Sequence, residues 1–204
     1  PGSFPILTMA KELRMLIKPQ NDWFLSLDYN GAEARTVLSL LDVPQPACDV
    51  HEWNMKNVLS NDIKNRDEAK KTFFSWLYNP DSRIIKNSIY NRDALLEKYY
   101  EDGCINTVFG RKIKVDKYKA LNYLIQSTTA DLVNDRAVQI DKMLHGKKSF
   151  VSHIVHDEVV IDLHNEDRSL VSEIEMVFSN NKIGKYKTNM KAAKNYYDLE
   201  VLNI

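Results

Sequence analysis

RDEAKKTFFSWLY, residues 66–78, repeats its most informative side chains every fourth position: Arg66, Lys70, Phe74 and Tyr78. The spacing predicts a helix, closed by Pro80. On a helix each step of four advances only about 40°, so the four side chains form one slowly winding stripe roughly 18 Å long. The stripe runs from two cations to two aromatic rings. A core-facing helix would place aliphatics there, and a solvated one would mix its charges. Cations followed by rings suit a ligand with phosphates at one end and a flat ring at the other, which describes a nucleotide. The plainer alternative is a surface helix whose long cationic stems cover an apolar face.

Around this stretch lies a chain of 204 residues, long enough to bury a sizeable core as one large domain or two small ones. Hydrophobic residues make up 44% and charged residues 27%, ordinary for a water-soluble globular fold. No apolar run reaches the ~18 residues that would span a bilayer, so no membrane partner and an intracellular location are expected. Pro1-Gly2-Ser3 reads as a cloning scar. Cys48 and Cys104 lack metal-ligand spacing and read as free thiols in a reducing compartment. Net charge is zero, but it is unevenly spread: residues 64–119 carry 13 Lys/Arg against 8 Asp/Glu. Residues 1–63 carry 5 against 8, and 151–204 carry 6 against 9. A basic middle between acidic flanks fits a polyanion-binding lobe beside a carboxylate-bearing one, or a charge-segregated surface with no ligand.

Read in order, 6–18 is a short amphipathic helix or irregular lead-in, and WFLSL (23–27) is a buried strand that delivers Asp28 to a turn at Asn30-Gly31. Helices are expected over 32–41, over 47–60 (carrying His51) and over 66–78. A polar helix is expected over 81–102, then a small hairpin over 105–115. The longest helix is expected from Tyr118 to about Leu144. Strands 150–155 and 159–163 flank His156-Asp157-Glu158 as a hairpin with its charge at the tip, followed by a helix over 166–178 and a last strand over 187–192. Strand, helical excursion, hairpin, helix, strand is an α+β plan: an antiparallel sheet with an inserted helical lobe.

Two acids stand out, some 130 residues apart. Asp28 ends a buried strand, where an Asp is most often a turn former or a helix cap. Asp157 and Glu158 share a hairpin tip, where adjacent carboxylates repel unless something positive lies close by. Hard oxygen ligands gathered from distant strands are what Mg²⁺ takes, together with waters and substrate phosphate oxygens. Two such ions about 3.5–4 Å apart clamp the attacking and leaving oxygens of a phosphoryl transfer. The chain has no GxSxG, P-loop, HExxH or paired CxxC, which disfavours nucleophilic hydrolases and zinc chemistry.

These pieces resemble family A DNA polymerases, the bacterial polymerase I type and its phage relatives. LDYNGAEAR (27–35) is similar to that family's motif A, RDEAKKTFFSWLY keeps the R-x3-K-x3-F-x3-Y spacing of motif B, and VHDEVV (155–160) matches motif C. TVFGRK (107–112), NYLIQSTTADL (122–132), DVH (49–51) and NYYD (195–198) resemble secondary motifs, so the likeness covers about residues 14–204. It implies palm segments at 4–45 and 118–204 and a fingers segment at 46–117, with the motif B helix at 64–79. It implies a DNA-directed DNA polymerase using two Mg²⁺ ions, dNTPs and a DNA primer-template. A phage-encoded enzyme would work in the cytoplasm of a bacterial host.

By the same resemblance, Asp28, Asp157 and the Tyr29 backbone carbonyl would hold the ions, with Glu158 beside them. Glu33 would act as a steric gate against a ribose 2′-hydroxyl, which favours DNA over RNA synthesis. Arg66 and Lys70 would grip the triphosphate, and Lys70 could give a proton to the departing pyrophosphate. Phe74 would stack on sugar and base, and Tyr78 would close the pocket and bond Glu33. Arg35, Arg111, Asn122, Gln126 and His156 would contact primer-template. Ser75 and Asn79 stand where motif B has glycines, Gly31-Ala32 replace Gln-Ile, Ser127 replaces a glycine, and Ile154 and Tyr118 replace polar or basic residues. No thumb or exonuclease segment is recognisable. The chain is therefore expected to be an excised fragment, or half of a split enzyme whose thumb or exonuclease lies on a separate polypeptide. The alternative is a nucleotide- and DNA-binding module that is inactive without that segment.

Overall fold

The structure is a computed structural model of the chain, in which residues 9–59, 62–82, 84–85 and 89–202 are described. In chain order the regular elements are β1 (Trp23–Tyr29), α1 (Ala32–Leu40), α2 (Val50–Asn57), α3 (Arg66–Tyr78) and α4 (Arg92–Tyr99). Next come β2 (Tyr100–Glu101), β3 (Cys104–Asn106), β4 (Lys112–Lys114), α5 (Lys117–Met143), β5 (Phe150–Val155) and β6 (Glu158–Leu163). The chain continues through α6 (Val171–Ser179), β7 (Asn180–Asn181), β8 (Gly184–Lys185), β9 (Thr188–Ala193) and β10 (Glu200–Val201). The α+β class expected from the sequence is what is found.

The chain divides into two compact units, one of residues 1–29, 133–180 and 188–204, the other of 30–132 and 181–187. These breaks differ from the three segments expected, 4–45, 46–117 and 118–204. Helix α1 packs with α2 and so falls with the helical unit, and α5 contributes its stretch through Leu132 to that unit as well.

The first unit is built on an antiparallel sheet of order β10-β9-β1-β6-β5. Apolar alternation along β1 and β6 decides its two faces. Leu25, Leu27, Val159 and Ile161 share one face, all with 0% exposure, each worth about 1.5–3 kcal/mol on burial. Helix α6 lies on that face, where Phe178 stacks on Tyr29 with ring centroids 4.2 Å apart. The opposite face carries Phe24, Ser26 and Asp28 of β1. Phe24 joins Val155, Val160 and Tyr196 in a small second core.

The helical unit has its own core, with Val37, Leu38, Phe73, Trp76, Leu77, Leu95, Leu124 and Ile125 buried together. Asn65 caps α3 by accepting from the Glu68 N–H, and Asp67 and Glu68 in its first turn complement the helix dipole. Beside these helices lies a three-stranded sheet of order β2-β3-β4.

Four expected helices are shorter or of another kind. The one over 47–60 is Val50–Asn57, which Asp49 starts by accepting from the His51 and Glu52 N–H groups; residue 60 lies outside the described residues. Over 81–102 the helix is confined to Arg92–Tyr99, because Asn91 starts it afresh by accepting from the Ala94 N–H; residues 83 and 86–88 lie outside the described residues. The lead-in over 6–18 is a 3₁₀ turn, Lys11–Leu16, that buries no side chain, and residues 6–8 lie outside the described residues. The helix expected from 166 opens as a 3₁₀ turn, Asn165–Leu170. There Asp167 turns inward to accept from the Lys148 and Ser149 N–H groups and the Ser149 hydroxyl.

Candidate active site

On the first unit the acids meet. Asp28 pairs directly with Glu158 on β6 and with Asn189 on β9, so their side chains share one face of the sheet. Asp157 occupies the two-residue turn that joins β5 to β6, between Val155 and its register partner Glu158. His156, the turn's first residue, has φ 57°, a conformation that favours glycine in hairpins of this length and that places a non-glycine residue under strain.

Each acid is held differently. Asp28 accepts from the Asn189 side-chain amide through Oδ2 at 3.0 Å, whereas Oδ1 is buried with no hydrogen-bond partner. The Lys191 ammonium stands 3.9 Å from Oδ1. Burial pushes the Asp28 carboxyl above its ordinary range. The Asn189 bond and the Lys191 charge oppose that shift, and the Asp157 and Glu158 carboxylates add to it. Glu158 is fixed at both oxygens, accepting from the Ser26 hydroxyl and, at 2.9 Å, from the Tyr196 hydroxyl. Burial and then Glu158 itself raise the Tyr196 phenol, so Tyr196 remains a proton donor at neutral pH. The Tyr29 side chain points to the other face, donating to the Phe178 carbonyl at 2.7 Å.

On the helical unit the stripe predicted for 66–78 forms as a continuous helix. Its opposite side, Ala69, Thr72, Phe73, Trp76 and Leu77, is buried. Phe74 and Tyr78 stack nearly parallel, centroids 5.6 Å apart and planes 9° apart, and with Lys70, Lys71 and Ser75 they line a shallow open groove. Lys70 is exposed. Arg66 donates to Asp49 through Nε at 2.9 Å and Nη2 at 2.8 Å. Burial alone would raise the Asp49 carboxyl; the bonds from Arg66, Asn30 and the Glu52 N–H outweigh it and hold it well below the usual range. Buried beside Phe73 and Phe74, His51 falls to about 4, first through desolvation and then through Arg66 and Lys70 against the pull of Asp49. It is neutral at pH 7. Tyr78 is raised by burial and by nearby Glu33, against a 3.5 Å contact from Gln126.

Arg35, expected to reach DNA, has 0% exposure. Its guanidinium donates to the Asn30 carbonyl and side chain, to Gln45, and to the Pro46 and Cys48 carbonyls, so it clamps its own loop. Among the other expected DNA contacts, Arg111 pairs with Asp131, Gln126 and His156 are exposed, and Asn122 has a buried Oδ1 without a partner.

Sequence reasoning missed Asn189 and Lys191 beside Asp28, and Ser26 as a donor to Glu158. The signal for the first two was the alternation of TNMKAA, which sets Asn189 and Lys191 on one strand face. Tyr196 and Asp49 lay inside stretches noted only for their likeness to secondary motifs.

No protein-family profile and no curated protein matches the sequence. Among solved structures, the POL domain of Pol1 from M. smegmatis, in complex with DNA primer-template and dNTP, is similar with a TM-score of 0.68 at 16% identity. The match covers 93% of this chain and 43% of that one, so this chain spans less than half its length. At that identity the likeness is one of fold.

Proposed function

We propose that this chain is the palm and fingers portion of a family A-type DNA polymerase, which extends a primer 3′-hydroxyl with dNTPs on a template. The observation that carries the reading is the corner where Asp28 meets Glu158 beside Asp157, with Asp28 Oδ1 buried and unpartnered, on a fold shared with a polymerase domain. That donor set fits a hard divalent cation. Among the described residues no group of three or more His, Cys, Asp or Glu could hold a metal ion; Mg²⁺ asks only for one or two carboxylates plus water and phosphate. Asp28 and Asp157 would hold two Mg²⁺ ions, aided by the Tyr29 carbonyl. When bound, such ions make the hydroxyl a better nucleophile and stabilise the charge of the leaving oxygen.

The chain's own groups supply the rest. Ser26 and Tyr196 lock Glu158 beside the ligands. Arg66 would share its Asp49 partner with the triphosphate. Lys70 would bind the β,γ-phosphates and pass a proton to pyrophosphate as the α-phosphorus bond to it breaks and the bond to the primer oxygen forms. The Phe74–Tyr78 stack offers a ring face to sugar and base, and Glu33 would exclude a 2′-hydroxyl. Arg111, Asn122, Gln126 and His156 would contact the primer-template backbone.

Primer extension by the chain, with Asp157→Ala as the comparison, tests the reading. The variant is expected to lose at least the roughly 10–100-fold that even outer-shell partners of a metal contribute. Extension by Asp157→Ala equal to the parent's would overturn it. Binding of dNTP and DNA by the parent with no extension would mark a binding module instead.

A further inference from the structure

The strand face that carries the acids also carries a cation. Register pairs Ser26 with Lys191 and Asp28 with Asn189, so Lys191 projects on the same side of the sheet as Asp28 and Glu158. Its ammonium is 3.9 Å from Asp28 Oδ1, beyond hydrogen-bond length, and that oxygen has no other partner. Asn189 occupies only Oδ2. The oxygen left to Lys191 is therefore the one open to a metal ion. The Lys191 side chain is 41% exposed, so the ammonium of this flexible, strongly hydrated side chain can swing out to water as another cation takes its place.

We infer that Lys191 is a resident counter-cation of Asp28, which a divalent ion must displace and which sets how tightly that ion binds. The inference rests on the proposal that Asp28 and Asp157 are metal ligands. While no ion is bound, the ammonium offsets part of the repulsion that the Asp157 and Glu158 carboxylates exert on Asp28. Once an ion sits on Oδ1, the same ammonium is a like charge a few ångströms away. Lys191 thereby lowers divalent affinity and steadies the empty corner. A lysine that is merely a solvated strand residue would do neither.

The test is Mn²⁺ binding to the full chain, followed by the loss of the free-ion paramagnetic resonance signal, for the parent, Lys191→Met, Lys191→Arg and Asp28→Asn. Lys191→Met is expected to bind Mn²⁺ about tenfold more tightly, the effect of removing one charge at 4–6 Å. Lys191→Arg, which keeps the charge, is expected to match the parent. Asp28→Asn is expected to lose the site, alone and combined with Lys191→Met. Binding that depends on Asp28 but is unchanged or weakened in Lys191→Met overturns the role of Lys191 and leaves the metal-ligand reading standing. Absence of Asp28-dependent binding in both the parent and Lys191→Met overturns both.

Discussion

Asp28 must be charged to hold a cation, in a place where burial disfavours charge. Its folded pKa lies above the ordinary 3.8, chiefly through desolvation. For an acid shifted upward, the stabilising contribution is complete below pH 3.8 and is lost as pH rises through the folded value. Asp28→Asn, which cannot ionise, is therefore expected to melt at a higher temperature than the parent at pH 7, with the gain shrinking to nothing as pH falls below 3.8. Mg²⁺ is expected to raise the parent's melting temperature and leave the variant's unmoved. Scanning calorimetry at several pH values, with and without Mg²⁺, checks both; a variant less stable than the parent at pH 7 would contradict the assignment. At this scale the sequence made Asp28, Asp157 and Glu158 legible, because an acid after an apolar strand breaks the strand's own pattern. The burial of Arg35 was not legible, because nothing along the chain shows that the carbonyls of Pro46 and Cys48 turn in to meet it. Lys191 and Asn189 were invisible as site residues until strand pairing set them beside Asp28.

Helix α1 shows how an element is admitted to the fold. It starts at Gly31, with φ 68°, where an added Cβ would lie 2.4 Å from Val50 Cγ1 and 3.2 Å from His51 Nε2. Here Gly31 replaces the glutamine of the motif it resembles, and the close approach of α2 explains the choice. Gly31→Ala is expected to destabilise the chain by about 2–5 kcal/mol, roughly 1–2 from the left-handed backbone and 1–3 from overlap. Adding Val50→Ala should return part of the overlap cost and none of the backbone cost, a non-additivity that urea unfolding of the single and double variants resolves. Equal stability of Gly31→Ala and the parent would show that this entry is not constrained. Elements with a strong period were legible: α3 matches its expected bounds because Ala69, Phe73, Trp76 and Leu77 bury one face, and the β5–β6 hairpin follows its alternation. The stretch 81–102 has no such period, and its helix Arg92–Tyr99 depends on a capping contact from Asn91 that composition does not reveal.

Across the whole molecule, a neutral total conceals two charged units. Residues 30–132 and 181–187 carry 18 Lys/Arg against 14 Asp/Glu, and the remainder carries 10 against 14, so the helical unit is at +4 and the sheet unit at −4. The segmental imbalance read from the sequence follows the compact units once their borders are drawn at 30 and 132. Among the described residues no helix is long and apolar enough to cross a membrane. If the helical unit holds a nucleic-acid backbone, binding must release counterions. The logarithm of the association constant should then fall linearly with the logarithm of salt, at a slope of about −3 for three to four neutralised phosphates on duplex DNA. Arg111→Ala is expected to lower that slope by about one, weakening binding equally across sequences, because a phosphate contact positions the duplex without reading it. Fluorescence anisotropy of a labelled primer-template between 50 and 200 mM salt measures both quantities. Micromolar binding with a flat salt response would mean that the excess lysines and arginines of this unit serve its own surface and not a polyanion.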